Sequence, residues 1–187
     1  QLMATRGVAV LHMNVLGVKF NTVEEADMRK RGLAAAAEAM VARGLADPEK
    51  VGLVGFSRNG WYTTYSITHD GYPYAAALAA DNWDSSYGTT LLFRFFDSAS
   101  QVNGGPAFGE GLKKWLETAP GFNVQRIRTP LMMVEQSTGG LYGVLTHWEI
   151  VSLMRHLGKP LEFYVMPDAY RHGAHTTQNP GQILAVQ

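Results

Sequence analysis

Five short apolar segments alternate with stretches of helical pattern along the 187 residues of the chain. Segments of this length are too short for helices and are typical of strands buried on both faces of a sheet. The predicted strands are Gly7–Val15, Val51–Val54, Tyr74–Ala80, Leu131–Val134 and Leu161–Met166. Because helices lie between them, the order predicts a parallel α/β sheet with right-handed crossovers.

Capping patterns place two of the helices. Thr22 and Glu25 have the spacing of a capping box, which predicts a helix from Thr22 to about Arg43, ended by Gly44. Thr146 and Glu149 have the same spacing and predict a second helix that begins there. Glu149 is therefore either a capping residue or a candidate catalytic acid.

A long stretch, at about residues 84–120, separates the third and fourth predicted strands. It contains an aromatic-rich segment, a glycine-rich loop and a short amphipathic helix. A connection of this length commonly covers or shapes a site in a compact domain. We predict an insertion that either serves the site or packs against the domain.

Composition narrows the function classes. Sixteen basic and sixteen acidic residues give zero net charge, so nothing indicates binding to nucleic acid or to an acidic membrane surface. No apolar run is long enough to span a membrane, and the absence of cysteine excludes disulfides in this chain. The first and last residues look like helices cut short, so we expect a partial domain, incomplete at both ends. The compartment is left open.

The most informative motif follows the second predicted strand. Gly55, Ser57 and Gly60 lie between that strand and a helix-compatible run. A Gly-x-Ser-x-Gly turn between strand and helix exposes the serine as a nucleophile, and the N–H groups of the next turn can hold an oxyanion. Here Asn59 stands where the second glycine is usual. The alternative is an ordinary strand–helix turn that happens to contain a serine.

A serine hydrolase also needs a base and an acid, and in α/β-hydrolases the chain order is serine, acid, histidine. His172 and His175 follow the last predicted strand, so either could be the base. The loop after the fourth strand has no Asp, and both Glu135 and Glu149 remain candidate acids. The His-x-x-His pair could instead bind a metal, but it lacks the adjacent acid of the helical zinc motif, so we predict no metal site.

Several motifs resemble the hydrolase domain of the prolyl oligopeptidase family, across nearly the whole chain. The general ones are Gly55–Arg58, Arg126–Leu131 and Leu157–Glu162. Others are similar to the lasso-peptide isopeptidase branch of that family. These are Pro106–Glu117, the Trp148-Glu149 pair, and Gly173–His175 with Asn179-Pro180.

The resemblance implies an α/β-hydrolase fold with a mostly parallel sheet and flanking helices. It implies Ser57 as nucleophile, His175 as base and Glu149 as acid, with the backbone N–H of Arg58 as an oxyanion donor and no cofactor. Glu135 is the alternative acid and His172 the alternative base. Asn59 and the residues Tyr170–His172 depart from the family pattern, which leaves the substrate more open than the chemistry.

For the whole protein, the resemblance implies an N-terminal β-propeller outside this chain and a location in the bacterial cytoplasm or periplasm. The first functional hypothesis is a serine peptidase or isopeptidase acting on peptides, with a lasso peptide as one candidate substrate. The second is an esterase or acyl hydrolase on the same fold. The third is a non-catalytic, hydrolase-like binding module, favoured by the missing Asp and the altered turn.

Overall fold

In the computed structural model, the described residues are 3–14, 17–92, 96–136 and 141–166. They form a parallel sheet of four strands in the order β1-β2-β3-β4. The strands are β1 (Gly52–Phe56), β2 (Ala76–Ala80), β3 (Leu131–Gln136) and β4 (Leu161–Met166). Four of the five predicted strands are therefore confirmed.

Helices connect the strands. The helices are α1 (Glu25–Ala42), α2 (Arg58–Thr68), α3 (Tyr87–Leu92), α4 (Phe96–Val102), α5 (Gly111–Thr118) and α6 (Leu141–His156). Helices α3, α4 and α5 occupy most of the stretch predicted as an insertion. None of the helices in the described ranges is long and apolar enough to cross a membrane.

The register of the sheet places the carboxyl ends of β1 and β2 level with Val134 of β3 and Tyr164 of β4. Phe56 pairs with Ala80, Ala80 with Val134, and Val134 with Tyr164. The residues that follow, Ser57 after β1 and Glu135 in the next position of β3, therefore lie at one edge. This is the edge at which parallel α/β sheets carry their ligands and chemistry.

The main core lies between the sheet and the helices on its faces. Strand residues Leu53, Ala79 and Met133 pack with Ile150 and Met154 of α6, all at most 8% exposed. A second cluster joins α1 to α2 through Ala26, Trp61, Tyr62 and Tyr65, together with Val102 of α4. The turn at Ser57 therefore leads into a helix that is buried on both sides.

The prediction of a strand at Gly7–Val15 is wrong for its described residues, 7–14, which form no regular structure. Val8, Val10 and Leu11 are about half exposed, and His12 is exposed as well. A strand needs a neighbour that pairs with its backbone, and within the described ranges β1 pairs with β2 alone. Apolar sequence without that neighbour does not make a strand.

The two capping boxes are also wrong. The first helix begins at Glu25, and the Thr22 hydroxyl donates to the carbonyl of Lys19 rather than capping the helix. Helix α6 begins at Leu141, so Thr146 and Glu149 lie in its interior. For Thr146 and Glu149, spacing alone could not distinguish a helix start from two residues one turn apart inside a helix.

Candidate active site

Ser57 occupies the turn between β1 and α2 in a strained backbone conformation. Its φ is 56° and its ψ is −125°, a region that side-chain-bearing residues rarely adopt. Its N–H donates to the carbonyl of Ala80 at 2.9 Å, and its carbonyl accepts from Trp61 N at 3.2 Å. The turn is therefore tied to the end of β2 on one side and to α2 on the other.

Two glycines allow the chain to turn this sharply. A Cβ on Gly55 would lie 2.2 Å from the carbonyl oxygen of Asn59, and a Cβ on Gly60 would lie 2.4 Å from Cβ of Asn82. Both distances are far below any real contact. Glycine is thus required at these two positions because strand, helix and the loop after β2 pass close together.

The candidate oxyanion donor, the backbone N–H of Arg58, belongs to the first residue of α2. The first N–H groups of a helix have no partner within it and lie at its positive end, so they can bind a developing negative charge. The Arg58 side chain is engaged elsewhere. Its Nε lies 2.5 Å from Oε1 of Glu25.

Glu149, the preferred candidate acid, lies on α6 and is half-buried. Its Oε2 accepts a hydrogen bond from the backbone N–H of Gly88 at 2.5 Å. Next to this contact, the hydroxyl of Thr89 donates to the carbonyl of Thr146 at 2.7 Å. The carboxylate of Glu149 therefore holds the start of α3 against α6.

Glu135, the alternative acid, is 2% exposed and faces a histidine that the sequence analysis did not single out. His147 of α6 places Nε2 at 2.7 Å from Oε2 of Glu135 and Nδ1 at 2.6 Å from Oδ2 of Asp84. The other oxygen of Asp84 accepts from the side-chain amide of Asn82 at 2.5 Å. These residues form a buried chain from the loop after β2 to β3 through α6.

The electrostatics of this cluster follow from its burial. Burial would lower the pKa of His147, but the carboxylates of Asp84 and Glu135 outweigh it and raise the pKa to about 10. Burial raises the pKa of Glu135, against the opposing effect of His147. Both shifts favour the protonated forms of these two side chains, so the cluster holds protons more tightly than free side chains do.

The two candidate bases, His172 and His175, lie outside the described residues. Among the residues that are described, no group of three or more potential ligands could hold a metal ion. The predicted site residues that the structure does describe are Ser57, Arg58, Glu135 and Glu149. Of these, Ser57, Arg58 and Glu135 lie at or directly after the carboxyl ends of strands, whereas Glu149 lies on α6.

An open pocket of about 740 Å³ lies at the opposite edge of the sheet. It is lined by Tyr74 and Pro130, which precede β2 and β3, and by residues at the end of α2. The chemistry of parallel sheets lies at the carboxyl edge. This pocket is therefore not part of the site around Ser57.

Sequence reasoning missed the contacts of His147 and Glu25. His147 meets partners 12 and 63 positions away, and Glu25 meets Arg58 33 positions away, so no local spacing indicates either contact. The one signal in the sequence was that each is a polar residue on the side of its helix that packs against the rest of the domain. A buried polar group requires a partner.

Comparisons with known proteins agree with this architecture. The model of the prolyl oligopeptidase family matches residues 1–185. A search of curated protein sequences found no match. Many solved structures share the fold.

Three similar structures illustrate the likeness. A puromycin-hydrolyzing peptidase of Mycobacterium tuberculosis has a TM-score of 0.63 at 19% identity, over 74% of this chain and 21% of its own. The acylaminoacyl peptidase of Pyrococcus horikoshii has a TM-score of 0.66 at 16% identity, over 88% and 27%. The AtxE2 isopeptidase has a TM-score of 0.61 at 19% identity, over 86% and 24%.

These structural similarities establish the α/β-hydrolase fold, which the resemblance implied. The chain spans only about a quarter of the length of these three proteins. The family match extends over almost all of its 187 residues, with Ser57 on the strained turn between β1 and α2. This chain belongs to the prolyl oligopeptidase family.

Proposed function

We propose that this chain is part of a serine peptidase in which Ser57 is the nucleophile. The observation that carries the proposal is the backbone of Ser57, held at φ 56° between two glycines that admit no Cβ. Strain of this kind persists only where the surrounding structure imposes it, and it is common at active sites. It presents the serine side chain at the carboxyl edge of the sheet.

In the proposed reaction, Oγ of Ser57 attacks the carbonyl carbon of an amide while His175 takes the hydroxyl proton. The tetrahedral oxyanion is bound by the N–H of Arg58. The C–N bond then breaks, His175 returns the proton to the leaving amine, and water hydrolyses the acyl-enzyme by the same steps in reverse. His172 is the alternative base, and no cofactor takes part.

Glu149 is the proposed acid that orients His175 and stabilises its cationic form. The contacts of the two candidates support this choice. Glu135 already places Oε2 at 2.7 Å from Nε2 of His147 and is almost fully buried. Glu149 is half-buried, and its charge is not paired with a histidine in the described part of the chain.

We extend the proposal to isopeptide bonds, with a lasso peptide as the candidate substrate. Support comes from the motifs shared with the isopeptidase branch, including the Trp148-Glu149 pair. The fold likeness to the AtxE2 isopeptidase is consistent with it. The zero net charge of the chain fits a peptide better than a polyanion as partner.

The test is hydrolysis by the full-length protein of three substrates: a lasso peptide, a linear peptide of the same sequence and a p-nitrophenyl ester. We expect the lasso peptide to gain the mass of one water in mass spectrometry, and the Ser57→Ala variant to produce none of this product. Cleavage of the linear peptide alone would retain the peptidase and reject the isopeptide assignment.

Two other results reject the peptidase assignment. Turnover of the ester without either peptide would identify an acyl hydrolase, since an ester needs less protonation of its leaving group. A folded protein that hydrolyses none of the three would identify a binding module.

A further inference from the structure

The side chain of Arg58 is fixed by a buried carboxylate on a neighbouring helix. Glu25, the first residue of α1, has a side chain that is 0% exposed. Its Oε1 accepts from Nε of Arg58 at 2.5 Å, and its Oε2 accepts from Nη2 at 2.6 Å. This two-pronged pairing fixes both the position and the plane of the guanidinium group.

Further hydrogen bonds hold the carboxylate itself. The hydroxyl of Tyr62 donates to Oε1, and the backbone N–H of Asn21 donates to Oε2 at 2.6 Å. The side-chain oxygen of Asn21 also accepts from Nη2 of Arg58 at 2.9 Å. Each carboxylate oxygen therefore has two donors, and neither Glu25 nor Arg58 can rotate without breaking several bonds.

Aromatic rings complete the setting. The guanidinium carbon of Arg58 lies 5.5 Å from the ring centre of Phe20 and 5.8 Å from that of Trp61. Burial would raise the pKa of Glu25, but the hydrogen bonds from Arg58, Tyr62 and Asn21 outweigh it and hold the pKa below its usual value. The carboxylate is therefore charged at neutral pH.

This network holds the side chain of the residue whose backbone N–H takes part in the proposed reaction. Arg58 follows Ser57, and its backbone N–H is the proposed oxyanion donor. A donor of this kind works only if it points at the place where charge develops, and a small displacement costs rate. The side chain of Arg58 links this residue to α1 through Glu25.

We propose that Glu25 is a positioning residue for the nucleophile turn, which holds the oxyanion-binding N–H of Arg58 in place through the Arg58 side chain. The inference rests on the proposed function of Ser57. It predicts that Glu25 acts on the rate of the chemical step and has little effect on substrate binding. A contact that only docked α1 on α2 would affect stability alone.

The experiment compares full-length wild-type protein with Glu25→Gln, in which the amide keeps the size of the side chain but cannot accept both prongs of Arg58. The readouts are the rate at which a fluorophosphonate labels Ser57 and the kcat and KM for a p-nitrophenyl ester, measured well below each Tm. We expect kcat and the labelling rate to fall about 10- to 100-fold, with KM within about 2-fold of wild type.

The matched control is Asp27→Asn, two residues along α1. Asp27 pairs with Lys30 and Arg31 on the surface of the same helix and does not touch Arg58. We expect this control to keep the wild-type labelling rate. The double variant Glu25→Gln with Arg58→Met tests the route, because it should be no slower than the slower single variant if Glu25 acts through Arg58.

The outcomes separate the two proposals. If wild-type protein is labelled and Glu25→Gln is labelled at the same rate, the positioning role is overturned and the serine peptidase stands. Losses that multiply in the double variant would also overturn it. If folded wild-type protein is not labelled at all, the proposed function fails and the positioning role fails with it.

Discussion

At the scale of single residues, the altered glycine pattern around Ser57 has a steric explanation. Asn59 replaces the usual second glycine, and its φ is not positive, so a side chain is tolerated there. Glycine is needed one residue later instead, because Gly60 faces Cβ of Asn82. The sequence motif therefore predicted a turn at the serine, but it did not reveal that Asn82, in the loop after β2, requires glycine at position 60.

This contact makes Gly60 a sensitive position. In Gly60→Ala the added Cβ would meet Asn82 at 2.4 Å, so the first turn of α2 or the loop after β2 must shift. We expect the free energy of unfolding in urea to fall by about 1–3 kcal/mol, as overpacking of a close contact does. Labelling of Ser57 should slow as well.

Gly52→Ala, in the strand β1 that leads into the turn at Ser57, is the matched control. Its added Cβ would lie 3.5 Å from the carbonyl of Ala76, an ordinary contact. We expect no loss of stability from this change. Equal losses in the two variants would show that the approach to Asn82 is not what the glycine serves.

At the scale of elements, the buried cluster of Asp84, His147 and Glu135 joins the loop after β2, helix α6 and strand β3. A histidine and two carboxylates that meet away from water must share protons to limit the cost of buried charge. Removing one partner leaves the others uncompensated. The cluster therefore ties three separate elements together near the carboxyl edge of the sheet.

The cluster makes stability depend on pH with a definite sign. The pKa of His147 is about 10 in the folded protein against 6.5 unfolded, so protonation stabilises the fold fully below pH 6.5. This contribution is lost as pH rises from 6.5 towards 10. The raised pKa of Glu135 acts in the same direction.

Urea unfolding at a series of pH values checks this prediction. We expect the free energy of unfolding to fall between pH 6.5 and 10 in the wild type, and this part of the dependence to disappear in His147→Gln, which should also be less stable. His156→Gln, on the exposed end of the same helix, is the control and should keep the wild-type slope. A slope unchanged in His147→Gln would contradict the assignment.

Helices and strands were predictable from the sequence where they depend on neighbouring residues, and less so where they depend on distant ones. Strands β1 to β4 follow from short apolar runs between turns, and the structure confirms them. The segment at residues 7–14 has an equally apolar sequence, but a strand also needs a paired neighbour, which sequence does not reveal. The helix start predicted at Thr146 failed because capping spacing recurs inside helices. The one predicted at Thr22 failed because the Thr22 hydroxyl donates to the carbonyl of Lys19 instead of capping the helix, which begins at Glu25.

At the scale of the whole molecule, the order of the elements was predictable and the long-range polar contacts were not. Alternation of strands and helices fixes a parallel sheet, whose carboxyl edge then gathers Ser57 and the ends of β2 and β3. The partners of His147 and Glu25 come together only through packing between distant elements. His172 and His175 lie outside the described residues, so the identity of the base remains a prediction.

The chain spans 21–27% of the length of the three similar proteins compared above, so activity must be tested on the full-length protein. The central claim is that Ser57 is an activated nucleophile with Glu149 as its supporting acid. Gln at position 149 keeps an oxygen that can accept from Gly88 but removes the charge. Glu149→Gln therefore separates a role in the triad from the hydrogen bond to α3.

The most direct measurement is fluorophosphonate labelling of full-length wild type, Ser57→Ala and Glu149→Gln, located by mass spectrometry. The account predicts modification on Ser57, none in Ser57→Ala, and a rate in Glu149→Gln lower by about 10²- to 10⁴-fold. An unchanged rate in Glu149→Gln would assign the acid elsewhere, with Glu135 next to be tested. A folded wild-type protein that takes up no label would contradict the central claim.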